Sequence, residues 1–123
     1  MKKFIITVIA LLGIATLQQV TAQKTETIKL EQTTGEFDIK SLELEAGVTY
    51  QFQVKNNGVD HEVGFVIAPA GSTEMSDHVK EAYLKETLAD GEKSKSGEVT
   101  LEAGEYVYFC PMNPTPEYTI TVK

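Results

Sequence analysis

The chain has no tryptophan, no arginine and only one cysteine. Without arginine there is no guanidinium fork to clamp a phosphate or carboxylate, so an arginine-built anion site is excluded. Positive charge is also short: eighteen acidic residues stand against eleven basic ones, all lysine, for a formal charge of −7. Such a surface repels phosphates, which excludes nucleic acid as an expected partner and favours cationic proteins or metal ions. A single cysteine, Cys110, cannot close a disulfide within the chain, so it is expected to be buried, metal-bound or reactive. Long apolar runs are missing too, except at the very start.

That start, "MKKFIITVIALLGIATLQQVTAQ", has two lysines, an apolar stretch from Phe4 to about Leu17, and the small residues Val20 and Ala22 before a cleavage point. It reads as a secretory signal peptide over residues 1–22, with one domain over 23–123. The apolar stretch is shorter than the roughly 20 residues of a spanning helix, so no membrane span is expected after cleavage. Loss of Lys2 and Lys3 would move the charge of −7 by two further units, to −9. The expected setting is periplasmic or secreted, and the expected state a soluble monomer. In an oxidising compartment a free exposed thiol tends to oxidise, which makes the surroundings of Cys110 informative.

Most of the remaining chain alternates. "VTYQFQVKN" sets Val48, Tyr50, Phe52 and Val54 on one face, the period of a half-buried strand. "HEVGFVI" repeats the pattern with His61, Val63, Phe65 and Ile67, and "EYTITVK" with Tyr118, Ile120 and Val122. Weaker strands are expected at 25–30, 37–44 and 96–101. Turn signals at "EAGV", "NNGVD", "ADGE" and "EAGE" separate the strands at short spacing. About seven short strands imply an all-β Greek-key sandwich. One segment departs from this pattern: in "STEMSDHVKEAYLKETLADG", Met75, Val79, Tyr83, Leu84 and Leu88 recur at helical spacing, with Ser72 or Ser76 as cap and Gly91 at the end. A single inserted helix is therefore expected there.

The closing hairpin carries the chemistry. In "GEYVYFC", Tyr106, Tyr108 and Cys110 share a face, and Cys110 lies where strand gives way to loop. Pro111, Pro114 and Pro116 follow, restraining themselves and the residue before each. The loop is stiff, as a metal site that must hold its geometry needs, and equally as a well-made strand connection would be. His61 begins a strand after a polar turn. A single histidine is more often structural than a ligand, but this one is paired with a strand-end cysteine.

With these residues the chain resembles the cupredoxins, the blue-copper proteins of the plastocyanin and amicyanin kind. "VKNNGVDHEVGF" resembles the family's first-histidine strand, and "LEAGEYVYFC" the strand leading to its copper-binding cysteine. The loop resembles the short form Cys-x-x-His-x-x-Met, with Cys110 on the cysteine, Asn113 on the second histidine and Pro116 on the axial methionine. The resemblance implies copper as cofactor, His61 and Cys110 as ligands, and single-electron transfer, not enzymatic turnover, with a cationic redox partner.

Two of the four family ligands are absent. A blue site holds copper in a plane of two imidazoles and a thiolate with a weak axial sulfur. The axial bond is weak and replaceable, but Asn113 offers only a hard amide oxygen, or else a loop residue bonding its own backbone. Met112, two residues after Cys110, would add a soft sulfur suited to Cu(I), or is apolar packing. His78 reads as a surface residue of the inserted helix, or as an imidazole that swings into the site. The candidate metal set is thus His61, Cys110, Asn113 and Met112. A Cu(I) carrier and a copper-free module on the same fold stand as alternatives to electron transfer. A Cys/His nucleophile pair lacks an orienting third group, and the carboxylates have no metal-loop spacing.

Overall fold

The alternating segments form strands whose inward residues meet in one core. The computed structural model describes residues 25–113 and 115–123, so the expected leader at 1–22 and Pro114 lie outside the described residues. The strands are β1 (Glu26–Thr33), β2 (Glu36–Phe37), β3 (Ser41–Leu44), β4 (Thr49–Asn56), β5 (Val66–Pro69), β6 (Lys93–Thr100), β7 (Gly104–Phe109) and β8 (Tyr118–Val122). They form two four-stranded sheets, ordered β2-β1-β4-β6 and β3-β8-β7-β5. β1 runs parallel to β4 and β3 parallel to β8; the other pairs are antiparallel. The expected all-β sandwich is what the chain forms.

Inward parity holds along β4, where Tyr50, Phe52 and Val54 are buried, and along β8, where Ile120 and Val122 are buried. The expected strand over 37–44 splits in two because β2 pairs back on β1, while β3 crosses to the other sheet beside β8. An aromatic cluster fills the centre: the Phe37 ring meets Phe65, Tyr108 and Tyr118 edge-on at centroid distances of 5.9, 5.3 and 5.9 Å. The Tyr108 hydroxyl donates to the Ile39 carbonyl. Burial, with smaller contributions from Tyr118 and Asp38, pushes its pKa well above the usual tyrosine range, so it stays a protonated donor.

Two segments depart from expectation. The inserted helix is not one helix: the segment has only two single 3-10 turns, Met75–Asp77 and Lys80–Ala82. Its backbone groups are taken by the sheets instead. The Val79 N–H donates to the Ile67 carbonyl at 2.8 Å, and Leu88 and Val63 exchange both of their bonds at 2.9 Å. Leu84 bridges Ser96 in β6. Val79, Leu84 and Leu88 are the points at which this draped segment is anchored, while Met75 stands exposed; a backbone group bonded to a neighbouring strand is lost to a helix. The second departure is the strand expected from His61. It begins only at Val66, and Val63 through Ala68 are all buried, so alternation stops before His61.

Candidate metal centre

Two connections meet at one end of the sandwich: the turn between β4 and β5, and the loop between β7 and β8. Because Val66 registers opposite Phe109, Cys110 lies one residue and Gly64 two residues beyond the paired ends, and the two come together. Cys110 is 3% exposed. Its Sγ accepts the N–H of Gly64 at 3.3 Å and of Asn113 at 3.1 Å. Its own N–H donates to Thr115 Oγ1 at 3.1 Å, tying the two ends of the proline-bearing loop.

Asn113 is 1% exposed, and both ends of its side-chain amide are engaged. Nδ2 donates to Gln32 Oε1 at 3.1 Å and to the Thr33 carbonyl at 2.9 Å, while Oδ1 accepts the Gly35 N–H at 2.9 Å. Gly35 holds a φ of 79°, a left-handed turn that glycine adopts without steric cost and that presents this N–H to the amide. Gln32, fully buried, donates through Nε2 to the Gly64 carbonyl at 2.6 Å. A closed amide network therefore joins β1, the β1–β2 turn, the Cys110 loop and Gly64. Both amides meet complementary partners, as buried polar groups must.

His61 lies elsewhere. The turn before it is organised by Asn56, which is buried: Nδ2 reaches the carbonyls of Val59, His61 and Leu88 at 3.2, 3.1 and 3.0 Å, and Oδ1 accepts the Val59 N–H at 2.8 Å. Val59 and Val63 fill the interior on either side of His61, which is left exposed with Nδ1 3.0 Å from the Glu62 carbonyl oxygen. Met112 is 47% exposed and lines a cavity of about 310 Å³. His78, half-buried and in neither 3-10 turn, lines the same cavity. The structure thus bonds Asn113 to Cys110 and sets Met112 and His78 on the lining of one cavity, which His61 does not line.

A trigonal copper site needs two imidazoles around the thiolate. Here the Asn113 amide is held by three protein groups, and the exposed His61 ring turns to a backbone carbonyl. No group of three His, Cys, Asp or Glu side chains able to hold a metal occurs among the described residues. The residues present do not fit a blue-copper plane. Sequence reasoning missed Gln32, although its signal was available: in "IKLEQ" it takes the inward parity of Ile28 and Leu30. Gly64 carried no signal, since its part is played by its backbone.

A sequence model of the cupredoxin-like domain family matches residues 4–122. No curated protein sequence matches the chain. Among solved structures, auracyanin A, described as a "blue" copper protein from Chloroflexus aurantiacus, superposes with a TM-score of 0.65 at 19% identity, covering 81% of this chain and 100% of that one. Dithionite-reduced auracyanin from Roseiflexus castenholzii gives 0.63 at 18% identity over 79% and 96% of the two chains. A reduced amicyanin variant gives 0.50 at 17% identity over 79% and 82%. At such identities the likeness shows a shared fold.

Proposed function

We propose, from the premise that the chain belongs to the cupredoxin-like family, that it is a secreted copper-binding protein that carries Cu(I) on sulfur donors and does not cycle copper as a blue electron carrier. One observation carries the reading: the side chain at the second-imidazole position, Asn113, is buried and its amide is wholly committed to protein partners. A redox site gains from a donor set that suits both oxidation states. Removing imidazoles while keeping sulfur shifts preference toward Cu(I), because thiolate and thioether are soft. Cys110 keeps the family's position, and Met112 follows it at the cavity. Copper as the cargo is supported by the blue-copper relatives of the fold. Residues 1–22 act as the export signal on this reading; among the described residues no helix is long and apolar enough to cross a membrane.

The test is a pair of titrations on the purified protein. With Cu(II), no intense copper-thiolate absorption is expected in the visible range; with Cu(I), the protein should withdraw the ion from a chromophoric chelator. An intense visible band that vanishes in Cys110→Ser would reinstate single-electron transfer with His61, Asn113 or Met112 completing the site. Uptake of neither ion would leave a copper-free binding module.

A further inference from the structure

The Cu(I) reading leaves open where the ion sits. We propose that it binds in the cavity bounded by Met75, His78 and Met112, beside the family's metal position and not in it; this rests on the Cu(I) reading.

Met75 and Met112 are the two large apolar side chains that stand exposed among the described residues, at 75% and 47%. They come from separate parts of the chain, one from the first 3-10 turn and one from the Cys110 loop, yet both line this one cavity. Methionine is ordinarily among the more buried residues, and a scattered surface side chain would need no explanation. Two methionines and a histidine lining one cavity supply two thioethers and an imidazole as candidate donors. Thioethers are neutral, soft donors that take Cu(I) in preference to magnesium, calcium or manganese.

Both nitrogens of the imidazole are engaged within the protein, so ligation requires one of its partners to give way. His78 Nε2 lies 3.1 Å from the Thr73 carbonyl, which can only accept, so Nε2 carries the proton. Nδ1 then presents its lone pair, and the Tyr83 hydroxyl donates to it at 2.7 Å. An imidazole whose second nitrogen donates to a backbone carbonyl is the arrangement that fixes tautomer and ring orientation in metal-ligating histidines. The edges of Tyr83 and Phe109, at centroid distances of 5.9 and 6.0 Å, hold the ring in place. Tyr83 also lines the cavity, so its hydroxyl is the group a metal ion would displace from Nδ1. Glu86 on the same lining adds negative charge for an incoming cation.

The experiment is anaerobic Cu(I) titration against a chromophoric chelator, run on the wild type, Met75→Leu, Met112→Leu and Cys110→Ser. Both methionines are exposed and leucine is close in volume, so folding should survive, which circular dichroism checks. The expected result is one equivalent bound by the wild type, a loss of about tenfold or more in affinity for each leucine variant, and little change for Cys110→Ser. The methionine methyl resonances of residues 75 and 112 should shift on binding. Affinity unchanged in both leucine variants but lost in Cys110→Ser would overturn this placement while leaving the Cu(I) reading intact. Absence of Cu(I) binding by the wild type would overturn both.

Discussion

When the Asn113 side chain is cut back to alanine, one buried and two partly buried groups lose a partner at once: Gln32 Oε1, and the Thr33 carbonyl and Gly35 N–H. Each orphaned buried group costs about 1–3 kcal/mol, partly recovered where water enters, so Asn113→Ala should lose about 2–4 kcal/mol. Urea unfolding should show a lower midpoint with unchanged slope, with and without a copper chelator alike. A loss that appears only when copper is present would mean that Asn113 serves a metal and not the amide network. That Asn113 belongs to the Cys110 loop was legible in the sequence, and the resemblance of that loop to the family's short form singled it out. Its partner was not: Gln32 lies 81 residues away, and only the sheet pairing places its inward amide at that loop. His61 illustrates the same limit, since the buried Asn56 and Val59 decide which way the turn faces, and neither reads as an orienting residue in "NNGVDH".

At the scale of elements, β4 and β8 were legible, whereas the late start of β5, the split between β2 and β3, and the draped segment between β5 and β6 were not. Period-two alternation survives in β4 and β8 because one face of each meets the core. Between Ser72 and Gly91, Val79, Tyr83, Leu84 and Leu88 turn wholly or partly inward while Met75 stands exposed, and the backbone bonds go to the sheets. That segment forms one side of the cavity, so its attachment to β6 matters for the site. Gly97 in β6 marks a close approach: a Cβ there would lie 3.0 Å from the backbone oxygen of Glu81, in the second 3-10 turn. A backbone oxygen cannot swing aside as a side chain can. Gly97→Ala should therefore cost about 1–3 kcal/mol and push the segment outward. Gly64 is the matched control, since a Cβ there meets nothing within 4 Å and its backbone bonds to Cys110 and Gln32 do not need a bare Cα. Thermal melts should separate the two, with Gly64→Ala within about 0.5 kcal/mol of wild type. Equal losses at both sites would show that the segment does not bear on β6 at Gly97.

For the whole molecule the governing quantity is charge, and it was fully legible: eighteen carboxylates against eleven lysines, with no arginine. The fold does little to neutralise it. Among the described residues the one salt bridge is the exposed pair Lys40 and Glu36. Unpaired like charges repel one another in the compact state, and the same field draws in cations and cationic proteins. Salt screens both effects over a Debye length of about 8 Å at physiological ionic strength, so the two respond in opposite directions. The melting temperature of the protein should rise between roughly 10 and 150 mM sodium chloride, because repulsion within the fold is relieved. Over the same range the association rate with a cationic partner, tested with a lysine-rich model protein, should fall, because steering is lost. A melting temperature that falls with salt would mean that favourable pairings outweigh the net repulsion. An association rate indifferent to salt would mean that the acidic surface has no part in partner choice, and recognition would then have to rest on the apolar cavity lined by Met75 and Met112.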